Sequence, residues 1–166
     1  MNIPPATPPT RVKAMPCDHP PPEHVTVRSE TGTWITFSNP VDPHGDGSRE
    51  ICVDLGYDSN VETLHCTAHG VTVGVMEPDP LSRFLQTLVD DFAGWPGPRT
   101  WQTYDDNLVV TATHTGHHVT LTWTLRTWHH RPTPWEATVT IDVEAGEQLR
   151  TFTQDLHHLL THPAVP

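Results

Sequence analysis

Basic side chains are few. Nine Lys and Arg stand against twenty Asp and Glu, a net charge of −11. Phosphate neutralisation needs a basic surface, so this balance excludes a DNA or RNA binder. Cysteine is scarcer still. Cys17, Cys52 and Cys66 are too few and too scattered for a disulfide scaffold. No apolar run approaches the ~18 residues of a membrane span, so no membrane partner is expected. Serine occurs only at positions 29, 38, 48, 59 and 82, and none stands in a G-x-S-x-G context. A Gly-rich phosphate loop and a C-x-x-C pair are also missing. These absences point away from an enzyme. No catalytic residue and no cofactor is expected.

Proline and histidine are abundant instead, at 18 and 13 residues. Eight of the prolines fall in the first 22 residues. Such a stretch favours extended, solvated backbone and buries no core. Residues 1–23 therefore read as a disordered Pro-rich tail, and residues 24–162 as one domain. The tail lacks the apolar segment of a secretory signal. The expectation is a cytoplasmic protein with reduced thiols.

From Val25 onward the pattern is regular. The stretches 25–27 and 34–37 alternate apolar and polar residues around Thr31 and Gly32, which predicts a hairpin. Ile51, Val53, Leu55 and Tyr57 alternate next. A further strand or pair covers 61–76, with Val71, Val73 and Val75 on one face and a turn at Gly70. Leu81, Phe84, Leu85, Leu88, Val89 and Phe92 then form one apolar stripe at a 3.6-residue period. Asp79 suits the N-cap of that helix and Pro80 its first position, with Gly94 as a stop.

A β-meander follows. Leu108, Val110 and Ala112 share one face, as do Val119, Leu121, Trp123 and Leu125 on the next strand. A two-residue turn at Thr115 and Gly116 would pair His114 with His117, Ala112 with Val119 and Val110 with Leu121. A turn displaced by one residue keeps the faces and changes the partners. Trp135, Ala137, Val139, Ile141 and Val143 make a half-buried strand with one wet face. After Gly146, Leu149, Phe152, Leu156, Leu159 and Leu160 stripe a last helix. One-faced strands and one-faced helices imply an α+β fold. Its expected form is a twisted antiparallel sheet with two helices packed on it, in the order strands, helix, meander, helix.

Histidine offers the metal candidates. His114 and His117 would be cross-strand neighbours in the first register, yet a zinc site wants three or four ligands and no further one is evident. They are weak candidates, and no metal is assigned. His65 and His69 lie on a strand, where i and i+4 are roughly 13 Å apart. Thirteen histidines also make the net charge less negative on acidification. The run 42–47 departs from a calcium loop at its third and twelfth positions and reads as a flexible acidic turn. Asp105 and Asp106 before Asn107 have turn composition.

Five tryptophans fall within forty-one positions. Trp123 and Trp135 keep phase with apolar neighbours and are expected in the core; for Trp101 the core and a binding role both stay open. Trp95 and Trp128 are out of phase or in loops. Exposed Trp and Arg are common binding anchors. The candidate binding residues are therefore Trp95, Arg99, Trp101, Arg126, Trp128 and Arg131, with Arg126, Trp128 and Arg131 as a partner-facing patch.

The stretch of about residues 70–160 resembles an uncharacterised family of small proteins from high-GC Gram-positive bacteria. The resemblance is carried by Leu81-x-x-Phe84-Leu85 and by Gly94-Trp95-x-Gly97-x-Arg99-Thr100-Trp101. His114-x-Gly116-His117-His118-Val119, the strand to Leu125-Arg126, Trp135 and Ala145-Gly146-Glu147-Gln148-Leu149 complete it. The family's Pro-Gly-Glu before the last helix is Ala-Gly-Glu here, and the family has no activity to transfer. More distantly, the layout looks like immunity proteins of bacterial polymorphic-toxin systems. That likeness implies a non-enzymatic interaction protein that neutralises a basic cognate toxin, since complementary charge speeds association. The alternative is a metal-dependent or small-ligand-binding protein using the His114 and His117 hairpin end.

Overall fold

A computed structural model describes residues 24–77, 79–127 and 132–162. The tail expected over 1–23 lies outside the described residues, as do Trp128 and Arg131.

The first four strands, β1 (His24–Arg28), β2 (Thr33–Val41), β3 (Arg49–Asp58) and β4 (Thr63–Gly74), form one antiparallel sheet in chain order. Helix α1 (Pro80–Asp90) follows. Then β5 (Arg99–Gln102), β6 (Leu108–His114), β7 (His118–Arg126) and β8 (Glu136–Glu144) make a second antiparallel sheet, also in chain order. Helix α2 (Glu147–Thr161) closes the domain. The α+β class and the element order are those expected from the pattern. The strands divide into two sheets, because α1 separates two meanders that each pair only with themselves.

One core joins all of it. Ile35, Phe37, Val53 and Val71 from the first sheet, Leu108, Leu121, Trp123 and Ile141 from the second, and Leu85, Leu149 and Leu156 from the helices are buried together. Three aromatic rings mark the junction. Phe37 of β2 meets Trp123 of β7 with ring centroids 5.3 Å apart. Phe152 of α2 stands 6.2 Å from Phe37 and 6.4 Å from Trp123. The Thr33 hydroxyl also donates to the Thr140 carbonyl at 2.7 Å, tying β2 to the edge of β8.

Helix α1 starts as its sequence predicts. Asp79 caps it, accepting from the Ser82 N–H at 3.1 Å, and Pro80 occupies the first turn. The helix stops at Asp90, four residues before Gly94, so Phe92 leaves the stripe and is 63% exposed. Helix α2 has glycine at its N-cap and borrows neighbours instead. The Glu144 carboxylate accepts from the Gly146 and Gln148 N–H groups, while the Gln148 side chain accepts from the Glu144 N–H.

Three local expectations change. The β6–β7 hairpin turns at Gly116 and His117, not at Thr115 and Gly116. His114 therefore faces Val119, Ala112 faces Leu121 and Val110 faces Trp123. This is the one-residue displacement of the turn, and it leaves every apolar face where alternation put it. Gly70 is no turn. It takes φ +66° beside a register shift that lets β4 run on as one bulged strand, while Val75, past the strand's end, is 56% exposed. Trp135 precedes the last ladder pair, Arg126 with Glu136, and is 41% exposed rather than in the core.

Candidate functional site

The residues chosen from sequence as anchors are held by their own neighbours. Trp95 is half-buried, its indole N–H enclosed and its ring edge-on to His114 at 5.0 Å. The Arg99 guanidinium stacks over that ring at 4.7 Å and donates to Asp91 at 2.6 Å and to the Thr87 carbonyl at 3.3 Å. Trp101 is half-buried against the core. These three residues lock the connection after α1 onto the second sheet. Arg126 is turned to the β5–β6 loop, donating to the Asp106 carboxylate at 2.6 Å and its carbonyl at 2.7 Å.

The metal candidates part as well. One ring nitrogen of His114 bonds the Phe92 carbonyl at 3.0 Å, satisfying the chain beyond α1. His117 is exposed at the turn, no longer opposite His114. Among the described residues no group of three possible ligands converges. The run 42–47 is closed rather than loose. Asp42 accepts from the Gly45 and Gly47 N–H groups and from Arg49, which holds its carboxyl below the ordinary range even though burial acts the other way. Cys52 and Cys66 are free thiols, and burial pushes the Cys66 thiol up.

What sequence reasoning missed is a charge pattern. Every cation among the described residues other than histidine is an arginine, and each of the six holds a carboxylate. The pairs are Arg28 with Asp58, Arg49 with Asp42, Arg83 with Glu77, Arg99 with Asp91, Arg126 with Asp106, and Arg150 with Glu147. The remaining carboxylates then dominate the field at the surface. Four of the pairs lie within eight residues in sequence, while Arg28 with Asp58 and Arg126 with Asp106 meet only through strand pairing and loop closure.

Three of the unpaired carboxylates border two adjoining cavities that share Arg28 and Gln148 and together make a groove. The larger, about 660 Å³, lies between β1 and the exposed flank of α2. Val25 and Val27 line it from the strand, Phe152 and Leu159 from the helix, and Asp155 stands on its wall. Arg28 and Gln148 border this part and also the next. There the groove opens into a notch of about 540 Å³ between the two sheets, with Glu30 on one side and Asp142 on the other. Serine and threonine hydroxyls and His118 line the rest of the notch, and Thr120 donates to Asp142 at 2.6 Å. Arg28, the one arginine there, is committed to Asp58 and to the face of Trp34, while His24, His118, His158 and His162 also border the two parts. An apolar floor with carboxylates at the wall and mouth suits a basic, partly apolar segment of another protein.

A cleft of about 550 Å³ lies beside the bulge of β4, lined in part by His69, Asp105, Arg126 and Trp135. Arg126 borders it with its guanidinium already paired. Cys52 backs His69 there at 3.2 Å.

A family model described as a family of unknown function, DUF6228, matches residues 26–163. The match takes in every motif from Leu81 to Leu149 quoted above. No curated protein and no solved structure matches the chain.

Proposed function

We propose, from the premise that the chain belongs to the DUF6228 family, that it is a non-enzymatic interaction protein binding a basic partner. The observation that carries this reading is the neutralisation of all six described arginines, which leaves Glu30, Asp142 and Asp155 unpaired around one groove. A surface of one sign raises the encounter rate of an oppositely charged protein by roughly 10 to 10³-fold at low salt. The apolar floor then supplies the short-range contact. An immunity protein that neutralises a basic toxin fits this chemistry: it needs affinity and speed, and no catalytic group.

The test is purification of the tagged full chain from its own host, followed by kinetics on the captured partner. The expected partner is basic, toxic when expressed alone and encoded nearby. Charge reversal at Glu30, Asp142 and Asp155 lowers its association rate at least tenfold at 50 mM salt, and the difference shrinks at 500 mM as screening shortens the field. A chain that stays monomeric and partnerless in its host refutes the proposal. So does a partner whose binding ignores the charge reversal.

A further inference from the structure

The backbone of β1 points to how such a partner docks. The Ser29 N–H donates to the Thr33 carbonyl at 2.8 Å and sets the phase of the β1–β2 ladder. Paired residues alternate between exchanging backbone bonds and not exchanging them. Val27 opposite Ile35 and Val25 opposite Phe37 therefore turn their N–H and C=O groups toward β2. His24, Thr26 and Arg28 turn theirs the other way, along the groove. No described strand pairs with that edge.

The other three edges are blunted. On β4 the bulge at Gly70 interrupts the line of the strand. On β8 the Thr33 hydroxyl occupies the Thr140 carbonyl. β5 has only four residues. β1 pairs with β2 without a register shift and contains no proline, and α2 flanks it with a groove between them. An edge in this state is a template for another strand.

We propose that an extended, proline-free segment of the basic partner adds to β1 as a fifth strand of the first sheet. This rests on reading the groove as the docking site. The lengths agree: the α2 wall from Gln148 to His162 spans about 21 Å at 1.5 Å per residue, room for about six extended residues. Alternation then specifies the segment. Every second side chain lies level with Val25 and Val27 over Phe152 and Leu159, and is apolar. A cation carried past the end of β1 reaches Glu30 and Asp142, and another meets Asp155.

The probe is a capped Lys-Val-Lys-Val-Lys-Val peptide added to the full chain. Two further versions carry N-methyl groups on either the odd or the even peptide nitrogens. Amide hydrogen exchange read by NMR is expected to slow at least tenfold at Thr26 and Arg28 on saturation. Val25 and Val27, already bonded to β2, are expected to stay unchanged. One N-methyl pattern blocks the edge facing β1 and weakens binding at least tenfold; the other leaves it unchanged. Equal binding of both methylated peptides, unchanged exchange at Thr26 and Arg28, or no binding of the plain peptide overturns strand addition. Concentration-dependent protection of Thr26 and Arg28 without peptide, with dimers in sedimentation, also overturns it in favour of a second copy. The charge-reversed triple variant separates the two ideas. If the plain peptide needs Glu30, Asp142 and Asp155 but shows no backbone signature, the acidic groove stands and strand addition falls. If the backbone signature survives charge reversal, the acidic reading falls instead.

Discussion

Phe37→Ala tests whether two sheets and a helix are held as one unit. Phe37 is fully buried on β2, with Trp123 of the second sheet 5.3 Å away and Phe152 of α2 at 6.2 Å. Truncating a core phenylalanine removes its burial and leaves a cavity, at about 3–5 kcal/mol. A domain of this size holds roughly 5–15 kcal/mol in total, so the loss is a large share. At roughly 2–4 °C per kcal/mol, Tm falls by roughly 6–20 °C. Part of the effect is ring against ring, worth about 0.5–1.5 kcal/mol per pair beyond area. A cycle of Phe37→Leu with Phe152→Leu is expected to show a coupling of that size. The assay is urea unfolding followed by tryptophan fluorescence and by far-ultraviolet circular dichroism, with coincident transitions expected in both proteins. A cost below about 1.5 kcal/mol, or two transitions that separate in the wild type, refutes the shared core.

Asp79 supplies a second test, since it caps α1, contacts His157 of α2 and has its carboxyl pushed up by burial despite those bonds. Asp79→Ala loses the cap and is expected to cost about 0.5–2 kcal/mol in thermal melts. Asp79→Asn keeps a cap without the buried charge and is expected to be near neutral at pH 7. A raised carboxyl binds more protons folded than unfolded, so its contribution falls as pH rises above the ordinary range near 3.9; the wild type should gain on Asp79→Asn as pH falls toward 4. Glu144 acts in the other direction. Backbone N–H groups at the start of α2 hold its carboxyl down, so its contribution is full above about pH 4.3 and is lost below. Glu144→Gln should flatten acid unfolding monitored by helicity; an unchanged acid limb would show that the carboxylate does not support α2. Half-buried Cys66, its thiol pushed up, should react with iodoacetamide at pH 7.5 at least tenfold more slowly than in the urea-unfolded chain, read by peptide mass spectrometry. Equal rates would contradict its burial.

The legible parts of this fold are those governed by neighbours in sequence. The stripe from Leu81 to Val89 and the Asp79–Pro80 start are α1 as observed, because a 3.6-residue period and a cap act over one or two turns. The faces of β6, β7 and β8 are likewise as alternation demands. The hairpin turn was open between neighbouring placements, since both bury the same residues. Trp135 misled because its phase is right while its ladder begins one residue later. Trp95 and Arg99 look like exposed anchors in a loop of glycine and proline, yet Asp91 and His114 close on them.

The sequence by itself determined the class of the fold, the buried face of most elements and the excess of negative charge, because each depends on local period or on composition. The tertiary structure decided the rest. It separated the strands into two sheets, joined them through Phe37, Trp123 and Phe152, and brought carboxylates to all six described arginines. It also set β1 beside α2 with no described strand on its outer edge and Asp155 on the cavity between them. The junction and the Arg28–Asp58 and Arg126–Asp106 pairs depend on residues distant in the chain meeting at a few ångströms, which no spacing along the chain encodes.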